Sequence, residues 1–456
     1  MKPSTRFRYL HFVGIGGAGM SAMAETLAGF GFSVRGSDRA DSSAMDRLRS
    51  LGIPVFVGHD AAHVNAGCDA VVFSAAVDPE NPELRAARTL GVPVVRRAEL
   101  LGCLMARQHG LAVAGTHGKT TTTGMLIHIL RAAGCDPAWV AGGIWSGGSA
   151  GNAGSGEFFI AEADEYDRAF LSMRPVSAIV TNIDSDHLDV YGTLSAIDDA
   201  FVEFLNRLPF HGVAVVNGED SGIRRILDRV NGRIRTFGLS AGDYQARNPS
   251  FDAGGSRFIL WRLGVEMGEV LLGVPGAHNI SNALAAAALA LEEGVPFAAV
   301  TEGLAAFPGM QRRLERIGTR AGVTVIDDYA HHPAEVTAAL KAARPLAPGR
   351  LSVLFQPHLY SRTREFTREF AHAFLGCDQL FVLPVYAARE IPIPGVEGNA
   401  IVEEAIHLGH PSARFLAVRD EAAGEVARAL RPGDLCLTMG AGDVGELALA
   451  ILEALA

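Results

Sequence analysis

Residues 111–123 read LAVAGTHGKTTTT, and this stretch decides the fold. Leu111–Ala114 is an apolar run, Gly115-Thr116-His117-Gly118-Lys119-Thr120 is a glycine-bearing turn, and Met125-Leu126-Ile127 with Ile129-Leu130 has the apolar spacing of a helix. Strand, glycine turn, Lys-Thr and helix are the layout of a phosphate-binding loop, in which backbone N–H groups and a helix N-terminus converge on an anion. In such a loop Lys119 reaches the β/γ oxygens of a nucleoside triphosphate and the Thr120 hydroxyl coordinates Mg²⁺. The pattern G-x-x-x-x-G-K-[ST] is incomplete, because Val113 stands at its first glycine. The plain alternative is a turn bearing a surface lysine; the strand before and the helix after argue against it.

A second glycine loop precedes it. Tyr9–Val13 reads as a strand and leads into Gly14-Ile15-Gly16-Gly17-Ala18-Gly19, a full G-x-G-x-x-G, then a helix carrying Met20, Met23 and Leu27. Asp38 follows the next strand, where an acidic group bonds a ribose hydroxyl in dinucleotide-binding units. Taken alone, this unit predicts a nicotinamide or flavin dinucleotide and an oxidoreductase. The motif is weakly specific, since Gly440-Ala441-Gly442-Asp443-Val444-Gly445 matches it again too near the C-terminus for a βαβ unit of about 30 residues. That copy is expected to be a strand-to-helix turn.

Apolar runs and helical patterns alternate along the chain. Strands are predicted at 33–37, 54–57, 70–74 and 92–95 in a first block. A second carries 158–161, 178–181 and 212–216, with a β-rich insert at 234–238, 258–263 and 270–274. A third carries 323–326, 351–355, 379–383 and 434–439. This is an α/β chain with parallel, doubly wound sheets. The Gly/Ser-rich segment 141–156 reads as a flexible connector or a lid, and Ala283–Ala290 as a buried helix. A formal net charge of −10 disfavours a general nucleic-acid surface, and no apolar run reaches the length of a membrane span. Five scattered cysteines without C-x-x-C read as buried thiols of a reducing compartment, hence a cytoplasmic protein.

Polar residues emerge where the apolar strands end, which is where open α/β sheets bind ligands. Glu162 is the first polar residue after Phe158–Ala161, and a carboxylate there can hold Mg²⁺. Asn182-Ile183-Asp184-Ser185-Asp186-His187 follows the next strand, where either aspartate, or His187, can complete a metal site; solvated acidic turns are the alternative. Asn279 and Asn282, three apart on a helix, can face a purine edge or cap the helix. Arg312-Arg313 offers a cation at a block junction. Asp327-Asp328-Tyr329-Ala330-His331-His332-Pro333 and Gln356-Pro357-His358-Leu359-Tyr360-Ser361-Arg362 end two strands of the third block and predict a second small-molecule site.

In order along the chain, GIGGAGMS at 14–21, GTHGKTTTT at 115–123, EADE at 162–165, DHLD at 186–189, GAHNISNA at 276–283, DDYAHHP at 327–333 and FQPH at 355–358 resemble the Mur ligases. The pairing of GIGGAGM with DDYAHHP is most similar to the member that adds the first amino acid. The resemblance implies three domains: a Rossmann-like UDP-substrate domain over 1–108, a P-loop-type central ATPase domain over 109–317 and a C-terminal Rossmann-like domain over 318–456. It implies an ATP-dependent ligase that joins L-alanine to the lactyl carboxylate of UDP-N-acetylmuramate through an acyl phosphate, with Mg²⁺, as a monomer or homodimer. A sister ligase that attaches a whole peptide for wall recycling is the nearer alternative.

The resemblance also implies the roles. Gly14, Gly16, Gly17 and Gly19 approach the UDP diphosphate, and Asp38 lies near the uridine. Gly115, Thr116, His117, Gly118, Lys119, Thr120 and Thr121 hold the ATP phosphates. Glu162 and His187 match the Mg²⁺ positions, beside Thr120, and Asn279 with Asn282 the adenine region. Arg313 and Asp328 sit near the reacting phosphate, while Tyr329, His331 and Arg362 sit near the amino acid, with His331 as proton acceptor. Two departures stand out. No lysine occurs from Leu188 to Pro209, where several relatives carry a carbamylated lysine, and Leu359 follows FQPH, where some carry arginine.

Overall fold

Strands buried on both faces must be apolar at nearly every position. Val13, Val71, Val72, Leu111–Ala114, Ile160, Ile179 and Val215 meet that demand with essentially no exposure. The computed structural model describes residues 7–145, 148–185, 188–252, 255–388 and 390–455. It contains three sheets. The first is all parallel in the order β3-β2-β1-β4-β5, with β1 Tyr9–Val13, β2 Ser33–Asp38, β3 Val55–Val57, β4 Ala70–Phe73 and β5 Val94–Arg96. Helix α1, Ala18–Gly29, follows β1. Gly14–Gly19 thus sit where the strand order reverses, at the carboxyl edge of β1.

The second sheet runs β15-β14-β13-β12-β11-β10-β6-β9-β7-β8. Its strands are β6 His109–Ala114, β7 Ala138–Val140, β8 Gly151–Asn152, β9 Phe158–Glu162, β10 Ser177–Val180, β11 Val213–Asn217, β12 Arg233–Gly238, β13 Tyr244–Asp252, β14 Gly255–Arg262 and β15 Val265–Leu272. β6 is parallel to β9 on one side and β10 on the other, so three carboxyl ends converge where Gly115 begins. Helix α2, Lys119–Ala132, leaves that turn, and α3, Ala277–Glu292, carries the fully buried run Ala283–Ala290.

The third sheet runs β16-β17-β21-β18-β19-β20, with β16 Glu315–Arg320, β17 Val323–Asp328, β18 Leu351–Phe355, β19 Gln379–Val382, β20 Ala413–Phe415 and β21 Leu435–Met439. All are parallel except β16, which pairs antiparallel to β17. Its first strand straddles position 317, where the sequence reading ended the second block. Helices α4, Pro333–Ala343, and α5, Tyr360–Phe374, follow β17 and β18. Because β17 and β18 flank β21 in parallel, the DDYAHHP and QPHLYSR turns share one rim, as their sequence pattern predicts.

By contacts the chain forms two compact units. One comprises Met1–Pro249, Arg257–Leu272 and Ile280–Pro308; the other comprises Ser250–Ser256, Gly273–Asn279 and Gly309–Ala456. The first two sheets share the first unit and one continuous hydrophobic core, from Leu10 and Met23 through Ala112 and Phe159 to Phe204. The third sheet buries a cluster on each face. Two sequence expectations need correction. The Gly/Ser segment is not a plain connector, since β7 and β8 pair antiparallel across it and Thr26 of α1 donates to the Trp139 carbonyl at 2.9 Å. Of the cysteines, Cys68, Cys377 and Cys436 are buried, but Cys135 is half-buried and Cys103 exposed. Among the described residues no helix is long and apolar enough to cross a membrane.

Candidate active site

In the first unit, Gly14 turns the chain with φ +80°, and the Gly14 and Ile15 N–H groups donate to the Ser37 carbonyl at 2.8 and 2.9 Å. Asp38 Oδ2 accepts the Gly16 N–H at 2.9 Å, so this carboxylate braces the glycine loop. The dinucleotide pattern placed Asp38 on a ribose and the resemblance placed it near the uridine; in the structure one of its two oxygens holds the backbone. A Cβ at Gly16 would lie 3.0 Å from that oxygen, and one at Gly19 would lie 2.6 Å from Arg97 Nη1. Beneath the sheet, Ser37 Oγ donates to the buried Glu83 at 2.6 Å, with His11 and His63 ring nitrogens at 3.2 and 2.6 Å. Burial opposes the charge on Glu83, but these bonds outweigh it and hold the pKa down to about 2.

The phosphate loop is braced from β10. Asn182 takes the Thr116 N–H on its carbonyl (3.1 Å) and the His117 N–H on Oδ1 (2.8 Å), and its Nδ2 donates to the His117 carbonyl (3.0 Å). Thr181 Oγ1 donates to the same carbonyl at 2.6 Å, and the Asp184 N–H to Thr116 Oγ1 at 3.0 Å. Thr116 and His117 therefore have no N–H to spare, contrary to the expectation that the whole loop faces an anion. The N–H groups left without intrahelical acceptors are those of the first turn of α2, at Lys119, Thr120 and Thr121. Gly115 and Gly118 adopt φ +123° and +84°; side chains there would meet Thr181 and Asn282.

Lys119 Nζ donates to the Gly115 and Thr116 carbonyls (2.7 and 3.2 Å) and pairs with Glu165 Oε2 at 2.8 Å. Burial disfavours its charge, yet Glu165, Asp164 and Glu162 overcompensate and raise its pKa. Thr120 Oγ1 donates to Glu162 Oε2 at 3.0 Å, and the Gly142 N–H donates to Oε1 at 2.6 Å. Burial pushes the Glu162 carboxyl up, the response of a carboxylate that gains from a nearby cation. Hydroxyl and carboxylate oxygens side by side suit Mg²⁺. His187 lies outside the described residues. Asn282 packs against Gly118, whereas Asn279 Nδ2 donates to the Pro275 carbonyl at 2.8 Å, a bond that ties down the preceding turn and satisfies no helix N–H. A cavity of about 320 Å³ joins the two loops, with Gly17, Gly19 and Arg97 on one wall and Lys119, Gly142, Glu162 and Asp164 on the other. Sequence reasoning missed Asn182, Glu165 and Arg97. Asn182 carried a signal close to that of Glu162, since it follows the apolar run Ala178–Val180 with only Thr181 between.

In the second unit the two adjacent arginines part company. Arg312, at φ +56°, bonds Asp327 Oδ2 (2.9 Å) and the Gly440 and Gly442 carbonyls (2.7 and 3.0 Å), tying the GAGDVG turn to β17. That turn joins β21 to the helix Gly445–Ala454, as expected. Arg313 faces the carboxylate of Glu335 at 3.8 Å, and its guanidinium lies 5.3 Å from the Tyr329 ring centroid. Asp328 accepts the Leu314 and Ala330 N–H groups at 2.8 Å each. Burial pushes its pKa up to about 6 against the pull of Arg313. His331 Nδ1 lies 2.9 Å from the Tyr329 carbonyl, which assigns the proton to Nδ1 and a lone pair to Nε2. Burial lowers its pKa despite Glu335. Rings of Tyr329, His331, His358 and Tyr386 follow at centroid spacings of 5.3, 5.9 and 5.8 Å, and Arg362 is buried at the start of α5. Leu359 sits at φ +72°, held by its N–H to the Tyr386 carbonyl and by Thr363 Oγ1 on its own carbonyl.

Three family models match consecutive stretches: "Mur ligase family, catalytic domain" at 9–109, "Mur ligase middle domain" at 113–290 and "Mur ligase, glutamate ligase domain" at 312–442. The UDP-N-acetylmuramate–L-alanine ligase of Sorangium cellulosum is 47% identical, covering 96% of this chain and 94% of its own. That of Desulfosudis oleivorans is 45% identical over 98% of both. Among solved structures, UDP-N-acetylmuramate-alanine ligase from Thermotoga maritima superposes with a TM-score of 0.82 at 32% identity and 98% coverage of both chains. A murein peptide ligase from Psychrobacter arcticus gives 0.73 at 26% and the same coverage.

Proposed function

This chain belongs to the Mur ligase family, and from that premise we propose that it joins L-alanine to the lactyl carboxylate of UDP-N-acetylmuramate, using ATP, for peptidoglycan precursor synthesis in the cytoplasm. The observation that carries this reading is the cavity with a glycine loop on one wall and Lys119 with Glu162 on the other. It can receive a diphosphate-linked sugar and a triphosphate face to face. An NAD-dependent oxidoreductase has no use for the second wall. Blocks 1–108, 109–317 and 318–456 then serve the UDP-sugar, ATP and the amino acid.

A carboxylate at neutral pH is a poor acylating agent because oxide is a poor leaving group. Transfer of the γ-phosphoryl group gives an acyl phosphate, and the alanine amine displaces phosphate through a tetrahedral intermediate. Lys119 and the first-turn amides of α2 stabilise charge on the transferring group. Thr120 and Glu162 would hold Mg²⁺, which supplies charge neutralisation between the phosphates. The need for it follows from the side chains present: Glu162, Asp164 and Glu165 outnumber Lys119, so a bare triphosphate is repelled. In the third block Arg313 serves the reacting phosphate beside Asp328, which fixes the turn by holding two amides, while Tyr329 borders the amino-acid site and Arg362 offers a carboxylate partner. His331, neutral and proton-free at Nε2, accepts the ammonium proton.

The alternative of a peptide-attaching ligase is weaker here: the curated relatives at 45–47% identity named above add alanine. Phosphate release with UDP-N-acetylmuramate across amino acids and peptides tests the assignment, and hydroxylamine should trap a hydroxamate. Adenylate with pyrophosphate as products would overturn the acyl-phosphate route.

A further inference from the structure

Two cations face the cavity between the glycine loops, and their surroundings differ. Lys119 is bound by Glu165 and two carbonyls. Arg97, at the start of the helix Arg97–Met105, has no carboxylate partner among the described residues, although its neighbour Arg96 pairs with Asp167. Its guanidinium lies over the first turn of α1: a Cβ placed on Gly19 would fall 2.6 Å from Nη1 and 3.1 Å from Cζ. The first-turn amides of α1 point the same way, because helix N-termini leave their N–H groups without intrahelical acceptors. An anion between those amides and a planar guanidinium would be held from both sides, and the two-pronged fork of arginine matches phosphate oxygens.

We propose that Arg97 clamps the diphosphate of the UDP-sugar against the N-terminus of α1, and that position 19 is glycine to leave room for its guanidinium. The inference rests on the UDP-substrate reading of this loop. It gives the third glycine of G-x-G-x-x-G a different duty from helix packing, the role that position has in dinucleotide-binding units. Gly19 has an ordinary helical backbone, so alanine there is conformationally free and acts only by pushing the guanidinium aside.

Calorimetry on the full chain tests it with UDP and UDP-N-acetylmuramate. Arg97→Ala is expected to weaken both by the same factor, about ten- to a hundredfold, as for loss of hydrogen bonds to a charged group. Gly19→Ala should weaken both comparably, Arg97→Lys should fall between, and the double variant should be no worse than the worse single one. Unchanged MgATP affinity shows that the variants are folded. A loss confined to UDP-N-acetylmuramate would assign Arg97 to the lactyl carboxylate and overturn the clamp; additive effects would overturn the role given to Gly19. Gly16→Val separates the two levels: if it leaves UDP binding intact, the UDP reading of the loop fails, whereas its loss beside a silent Arg97→Ala condemns the clamp alone.

Discussion

The two glycine loops of the first unit share a plan and differ in charge. Each follows a central parallel strand, opens a helix and is braced by a polar side chain from a neighbouring strand end, Asp38 in one and Asn182 in the other. The first brace is itself anionic and draws an amide inward, and the cation beside that loop comes from a distant helix and has no carboxylate partner among the described residues. In the second the brace is neutral, the cation belongs to the loop, and three carboxylates surround it. Under the function proposed above, the difference suits a diphosphate without metal at the first loop and a triphosphate with Mg²⁺ at the second.

The hardest test of that contrast removes the loop's own cation. Lys119→Ala should abolish phosphate release, a loss on the order of a thousandfold or more, while calorimetric affinity for UDP-N-acetylmuramate stays within a few-fold. Retained turnover would erase the distinction between the loops. Next in size is Glu162→Gln, expected to raise the Mg²⁺ concentration for half-maximal rate about tenfold or more, with UDP-sugar binding indifferent to Mg²⁺ throughout. If chelation weakened UDP-sugar binding as much as ATP binding, the charge argument would be wrong.

Outside the loops the expected effects are smaller. If Nε2 of His331 takes the amine proton, the rate should fall on the acid side, below the ordinary histidine pKa near 6.5, because burial lowers this group. His331→Gln should lower the rate about a hundredfold and flatten that limb in a pH–rate profile. Glu83 gives the mildest change. Its pKa falls from 4.5 to about 2 on folding, so it contributes about 3 kcal/mol of stability. That contribution is complete above pH 4.5 and lost as pH drops through 2. Glu83→Gln should unfold earlier than the parent at pH 7, and thermal scans should show the gap closing toward pH 2.

Much of this was legible in the chain. Parallel strands buried on both faces are written as unbroken apolar runs, so β1, β6, β9, β10 and β18 stand out. β13 does not, since YQARNPSFD buries only Tyr244 and Ala246 and is exposed continuously from Arg247 to Ser250, and β7 and β8 are hidden by the glycines between them. Site residues were visible where the chemistry is local, as for Lys119, Thr120 and Glu162. The partners that orient them were not: Asn182 is 65 positions from the loop it braces, and Glu165 is 46 from Lys119. Such contacts depend on strand order, which no short motif spells out.

Leu359 carries one more consequence. A branched side chain at φ +72° holds strain of about 1–3 kcal/mol, and the surrounding bonds to Tyr386 and Thr363 must hold it in place. Native-state amide exchange should therefore find this turn among the first parts of the third sheet to open, ahead of the interior of β18, whose residues are fully buried. Because His358 precedes the strained residue, each opening would carry an imidazole out of the ring series that begins at Tyr329. The fold would then set how often that wall of the site is assembled, and Leu359→Gly, by relaxing the turn, would change the frequency without touching a polar atom.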